Sequence, residues 1–320
     1  MTPEQARVAA ILMPEAYAKL CSVQESDNCR FVHYTTAEVA VSIIKDRGIW
    51  MRNAYLMNDY SEVRHGSECF FYAWRGEAGF ALRNAMARIN PDLPARFDDE
   101  YFENFSRNLQ NETYLTSFCE HRAEPNNHLG RLSMWRAYGG DSGVAIVVNK
   151  DVFLKERGVL GLYYSPVAYW HRERVAEEMF KIAAAIMDNL DAFSSFDLAR
   201  LYNQFSIVFM AAVLCTKHPG FEEEAEWRVF YNSRFQTPPM LDRQVKVIRG
   251  IPQIVYRLKF RAAAEPDNGE ISIPDMLDRL LIGPCPYIFP VYLGLVQTLK
   301  DAGVPNSDGK VFASGIPLRR

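Results

Sequence analysis

Apolar residues recur in two periods along the chain, and the switches between those periods lay out its elements. Val8, Ile11, Leu12, Ala16 and Leu20 stand at helical spacing behind Thr2-Pro3-Glu4-Gln5. There Thr2 caps, Pro3 fits a first turn and Gln5 stands at the capping-box position, so the pattern predicts one helix to about Cys21. Asp27-Asn28 breaks it, and Phe31–Tyr34 reads as a short strand. Thr36 caps a helix with Val39, Ile43 and Ile44 inward; Gly48 ends it and a strand, Ile49–Met51, follows. A loop through Asn58-Asp59 leads into a long helix, roughly Tyr60 to Ala87, closed by the linker Asn90-Pro91-Asp92-Leu93-Pro94, with helix again to about Leu109.

The second half is richer in strand patterns. Thr113–Phe118, the β-branched run Val144–Val148, Tyr163–Trp170 with an interruption at Pro166, Trp227–Tyr231, Ile254–Phe260, Ile271–Ile273, Leu280–Ile282 and Lys310–Ala313 all read as strands. Ser133–Tyr138 reads as a short helix closed by Gly139-Gly140, two helices fill most of Arg172 to Leu214, and a last one runs near Val291–Ala302. Helices and strands alternate irregularly, without consecutive βαβ units, which favours α+β over a doubly wound sheet. The expectation is one co-linear α+β unit over residues 1–320, with a helical N-terminal segment, 1–28, packed on it.

Composition narrows the class. With 48% hydrophobic residues and 13% aromatics the chain can build a substantial core, and 23% charged residues argues against global disorder. A net charge of −3 without a long basic block does not suit a protein that grips nucleic acid mainly by its phosphates. The start, Met1 to Arg7, lacks the basic and apolar regions of a signal peptide, and no apolar run reaches the ~18 residues of a membrane span. A cytoplasmic protein without membrane contact is expected. Cys21, Cys29, Cys69, Cys119, Cys215 and Cys285 are dispersed without Cys-x-x-Cys spacing, so reduced thiols are expected.

Chemistry concentrates in a few places. Phe221-Glu222-Glu223-Glu224-Ala225-Glu226-Trp227-Arg228 sets a Glu-x-Glu pair at the mouth of a strand pattern, where residues two apart point to one side. Two such carboxylates either repel or face hydroxyls, a cation or developing positive charge. The plainer reading is a solvated acidic turn. Near the N-terminus, Arg30-Phe31-Val32-His33-Tyr34-Thr35 places polar side chains on an apolar strand, and Asn58-Asp59-x-x-Glu62 follows. Read plainly, His33 is a hydrogen-bonded core residue, Trp135 and Tyr138 are core at helical spacing, and Thr116 and Ser117 satisfy backbone groups. Glu62 and His65 have Glu-x-x-His spacing without a second copy, and His121 and His128 fall in a polar loop, so no metal site is expected. No Gly-x-Gly-x-x-Gly, phosphate-binding P-loop or Gly-x-Ser-x-Gly occurs.

The order Phe31-Val32-His33-Tyr34-Thr35, Asn58-Asp59-x-x-Glu62, Leu115-Thr116-Ser117-Phe118-Cys119, Met134-Trp135-x-x-Tyr138-Gly139, Glu224-x-Glu226-Trp227-Arg228, Ile282-Gly283-Pro284 and Ser314-Gly315-Ile316-Pro317 resembles the bacterial domain-of-unknown-function family 2971 across nearly the whole chain. More distantly, the chain resembles the ADP-ribosyltransferase superfamily, whose members hold NAD on three sequence-separated strands. Arg30 or His33 would stand on the first, Ser117 on the second, and Glu224 and Glu226 at the third. The match follows neither the Arg-Ser-Glu nor the His-Tyr-Glu subclass, and Leu-Thr-Ser replaces Ser-Thr-Ser.

This second resemblance implies a single mixed or antiparallel sheet core of ADP-ribosyltransferase type with substantial helical additions. It implies NAD as substrate, cleaved at its ribose, with ADP-ribose passed to a protein, a nucleic acid or water, as in bacterial toxins and anti-phage effectors. Glu226 would offset the charge of an oxocarbenium-like transition state and Glu224 would orient or deprotonate the acceptor. Arg30, His33, Tyr34, Thr35 and Ser117 would hold NAD, Tyr34, Trp135 and Tyr138 would stack on its rings, and Lys217 or Arg228 would meet its pyrophosphate. The alternatives are a non-catalytic nucleotide or ADP-ribose sensor of a defence system and an interaction protein in which each of these residues is structural.

Overall fold

The computed structural model describes residues 3–56, 60–97, 111–122, 127–151, 162–233, 241–248, 250–261 and 271–317. Asn58, Asp59 and the helix expected up to Leu109 lie outside these, apart from the short turn Pro94–Phe97. The architecture is mixed, with helices beside mostly antiparallel strands. By contacts the chain divides into two compact units, each made of three segments: Met1–Ser22, Arg52–Leu115 and Tyr163–Thr237 in the first, Val23–Met51, Thr116–Leu162 and Pro238–Arg320 in the second.

The first unit is mainly helical. The opening pattern forms two helices, α1 (Pro3–Leu12) and α2 (Pro14–Glu25), rather than one. Pro14 has no N–H to donate and fits a first turn, so it starts a new helix. The long helix expected from Tyr60 likewise divides into α4 (Tyr60–Arg75) and α5 (Glu77–Ile89), after α3 of the second unit, Ala37–Lys45. Gly76 is extended between them, and the chain closes so tightly that a Cβ on Gly79 would lie 1.8 Å from the Trp74 carbonyl oxygen. With α7 (Arg172–Asp188) and α8 (Leu198–Leu214), these helices bury one apolar cluster that includes Leu12, Phe70, Trp74, Leu82, Met86, Ile186, Phe205, Phe209 and Leu214. α5 packs on α7, and α4 on both α7 and α8. The cluster's interlocked rings include Phe70 stacked on Trp74 at 6.2 Å and Phe97 against Phe209 at 5.1 Å. The strands of this unit are short: β5 (Tyr163–Pro166) pairs antiparallel with β8 (Glu226–Asn232), and β6 (Ala168–Tyr169) pairs parallel with β7 (Thr216–Lys217).

The second unit is a sheet with helices on it. Its strand order is β12-β11-β4-β1-β3, with β1 (Cys29–Thr36) central between β3 (Thr113–Arg122) and β4 (Gly143–Asn149), both antiparallel to it. β11 (Leu277–Ile282) runs antiparallel to β4, and β12 (Val311–Ala313) runs parallel to β11. Val144 to Val148 are fully buried, as a β-branched run covered on both faces should be. Ala145 and Val147 join Val32, Tyr34, Cys119, Leu281 and the Met134 and Trp135 side chains of α6 (Leu132–Tyr138) in one core. On β4 also rests α3, capped as expected by Thr36, whose hydroxyl accepts from the Val39 N–H. Its stop differs from expectation: Arg47, at φ 49°, takes the left-handed turn, and Gly48 opens β2 (Gly48–Asn53).

Two further readings change. Leu241–Ile248 is a strand, β9, paired with β10 (Ile251–Lys259) in an antiparallel hairpin, although its alternation mixes charged and apolar residues. Ile271–Ile273 is not a strand. Ser272 makes one isolated bridge to Arg261 and caps the single-turn α9 (Ile273–Met276). The last helix, α10 (Ile288–Asp301), packs on α3 and β12. The six cysteines are all reduced thiols, and no helix among the described residues is long and apolar enough to cross a membrane.

Candidate functional site

The residues expected to carry chemistry fall in two groups, one in each unit. In the first unit they converge on Lys217. This residue ends β7, is 1% exposed, and sits in register with Tyr169 of β6. After it the chain makes one 3-10 turn, Pro219–Glu224, started by His218, whose ring nitrogen accepts from the Gly220 N–H at 3.1 Å. Ala225 then takes the left-handed conformation, φ 44° and ψ 50°, and β8 begins at Glu226. That turn, rather than strand alternation, brings both carboxylates of the Glu-x-Glu pair to one cation. Lys217 Nζ donates to Glu224 Oε2 at 2.7 Å and to Glu226 Oε2 at 3.1 Å. Arg228, two residues on and therefore on the same face, donates from Nε to Glu226 Oε1 at 2.9 Å and from Nη1 to the Leu214 carbonyl.

Glu226 and Arg228 are 6% and 4% exposed, so this is a charge-balanced cluster inside the protein. Glu222 and Glu223 alone form the exposed acidic turn. Taking such ions out of water is unfavourable by several kcal/mol each, and only close pairing with full hydrogen bonding offsets it. The Glu226 N–H donates to the Tyr169 hydroxyl at 2.7 Å, and burial raises the pKa of that phenol. Burial also pushes the neighbouring Cys215 thiol up to about 12, which keeps it un-ionised. Lys217 and Arg228, expected at a pyrophosphate, are thus both bound to Glu226. Beside them His218 lies between His65 and His171, with ring centres 5.6 and 5.1 Å away, and His65 Nε2 bonds the Trp170 carbonyl at 2.9 Å. Among the described residues, no group of three or more His, Cys, Asp or Glu has the arrangement to hold a metal ion.

In the second unit β1 and β3 bring His33 and Ser117 together. His33 Nδ1 and the Ser117 carbonyl are 2.9 Å apart; a carbonyl only accepts, so Nδ1 carries the proton. Burial holds the pKa of His33 below its ordinary value, and that bond to Ser117 opposes the shift only in part. A neutral imidazole of this tautomer keeps its lone pair on Nε2. The Ser117 hydroxyl is buried and has no hydrogen-bond partner. Tyr34 accepts from the Arg131 N–H at 2.9 Å and meets Trp135 edge-on at 4.9 Å; burial pushes its phenol up to about 12. Arg30 reaches the Asp278 carboxylate at 3.3 Å and the Asp27 and Cys29 carbonyls. Thr35 is buried within β1.

Trp135 is a core residue. Its Nε1 donates to the Leu129 carbonyl at 2.8 Å, and glycines wall its ring: a Cβ on Gly283 would lie 2.6 Å from it and one on Gly130 2.9 Å. Tyr138 packs half-buried against the same core. That surround explains why the expected stacking role does not suit Trp135. The sequence reading missed Arg131 and Arg279, which lacked any motif, and set His121 in a loop although it belongs to β3.

No curated protein and no solved structure matches the chain. Residues 134–229, which include Trp135, Tyr138, Lys217, Glu224, Glu226 and Arg228, match the family model described as "Protein of unknown function (DUF2971)".

Proposed function

We propose that the protein cleaves NAD and transfers ADP-ribose to a macromolecule or to water. The observation that carries this reading is at Ser117 of β3: its carbonyl accepts from Nδ1 of a neutral His33 on β1, and its own buried hydroxyl has no protein partner. An orphaned buried hydroxyl is unfavourable by about 1–3 kcal/mol, and a ligand offering ribose hydroxyls or an amide would relieve it. In the reaction the ribose C1′–nitrogen bond breaks, nicotinamide leaves with the bonding pair, and the acceptor oxygen or nitrogen bonds C1′ and loses its proton. That proton passes to water.

A non-catalytic nucleotide-binding protein is the second reading, favoured by the balance of charge around Glu226, which a purely structural cluster would also show. The test is nicotinamide release from NAD, run beside calorimetric NAD binding. Ser117→Ala removes a hydroxyl that no protein group uses, so it should keep the melting temperature and slow release about tenfold. NAD binding without release moves the assignment to the second reading. Wild-type protein that neither binds nor cleaves NAD defeats both.

A further inference from the structure

A second polar group lies in the sheet unit, away from His33. His121, Arg30 and Asn149 are register partners across β3, β1 and β4, and directly opposed residues project from one face of a sheet. Two residues along each strand, on that same face, stand Cys119, Val32 and Val147 of the apolar core, with Arg279 of β11 opposite Val147. Here the buried apolar face turns polar. His121 is 6% exposed; its ring bonds the Asn127 backbone, and its Nε2 is buried without a partner. Arg131 donates from Nη2 to the Glu120 carbonyl at 2.7 Å. Arg279 donates from Nε to Asp278 at 2.6 Å and holds Nη1 3.3 Å from His128 Nδ1. His128 in turn lies flat on Phe312, with ring centres 4.3 Å apart. Lys310 Nζ adds a cation on the Leu277 and Asp278 carbonyls.

We propose that His121, Arg131 and Arg279 form a subsite for a hydrogen-phosphate group, carried by a phosphomonoester or by free phosphate. The bond to the Asn127 backbone puts the proton on the other ring nitrogen, so Nε2 offers a lone pair and lacks a donor. Guanidiniums donate only, yet neither is bonded to this nitrogen. A hydrogen phosphate supplies both complements: its P–OH donates to Nε2 while its anionic oxygens accept from the guanidinium N–H groups, a geometry to which arginine is suited. Burial first, then the Arg279 charge and more weakly that of Arg131, lowers His121 to about 4, so at neutral pH the imidazole accepts rather than donates. The chemistry sets the specificity. Sulfate has the charge and shape but no proton at neutral pH, and the diphosphate of NAD, a diester, has no P–OH either. The subsite is therefore independent of NAD cleavage, and either can fail alone.

The experiment titrates the full chain with inorganic phosphate, methyl phosphate and sulfate at pH 6.5 and constant ionic strength, reading heat and the ring-nitrogen resonances of His121. Phosphate should bind at least tenfold more tightly than sulfate and should move the Nε2 resonance. Methyl phosphate binding as tightly as phosphate assigns a monoester; phosphate binding alone assigns the free ion. Arg279→Gln should weaken phosphate at least tenfold, while Lys45→Gln, exposed on α3, should not. His121→Phe should erase the preference over sulfate, and wherever that variant fails to fold the wild-type resonance decides. Equal affinity for phosphate and sulfate, or an Nε2 resonance unmoved at saturating phosphate, overturns the subsite.

Discussion

Glu226 shows how a residue's surroundings outweigh its local pattern. A Glu ahead of a strand reads as a surface carboxylate whose replacement would barely alter stability; buried against Lys217 and Arg228, it is instead the anion both cations need. Glu226→Gln should therefore destabilise the fold by about 3 kcal/mol or more, seen in urea denaturation, because it leaves buried positive charge under-compensated. If the midpoint hardly moves, the cluster is wetter than its burial implies. The two depressed histidines give a pH signature. His33 and His121 are neutral in the fold, whereas the unfolded chain protonates near pH 6.5. Fewer protons bound when folded means that their contribution is complete above that pH. For His121 it is lost as pH falls from about 6.5 to about 4, a loss on the order of 3 kcal/mol. His121→Phe should flatten that part of the stability–pH curve.

At the scale of elements, most strands and helices were legible because one face of each is buried and its period shows. What escaped was set by single residues acting on the backbone. Pro14 and Gly76 divided what periodicity alone joined, and β9 was hidden because its outward face carries Val245 and Val247 while Asp242, Gln244 and Lys246 occupy the other. The convergence of Glu224 and Glu226 was foreseen by the right spacing and the wrong device, since a left-handed Ala225 does the turning. A non-glycine residue there is unfavourable by about 1–2 kcal/mol. Ala225→Gly should raise the unfolding midpoint slightly, by up to about 1 kcal/mol once the extra entropy of the unfolded chain is subtracted. The opposite sign is expected at Gly283: alanine would drive a Cβ to 2.6 Å from Trp135, so Gly283→Ala should lose about 1–3 kcal/mol and shift the Trp135 fluorescence.

At the scale of the molecule, the pairing of His33 with Ser117 was readable as an order of motifs, but the cations around His121 were not, because Arg131 and Arg279 come from segments about 150 residues apart and meet only through the sheet. Threading has a further consequence, for synthesis and dissection. The helical unit waits for the segment ending at Thr237, and the sheet unit for the one ending at Arg320, before either holds all its pieces. A ribosome emitting the chain from its N-terminus therefore exposes α1, α2 and β1 long before their partners exist, and half-made chains should be substrates for chaperones. The stretch 134–229 that matches the family model takes part of each unit and the whole of neither. Expressed alone it should not yield a cooperative melt, so deletion mapping will report loss of folding at nearly every boundary rather than the borders of a module.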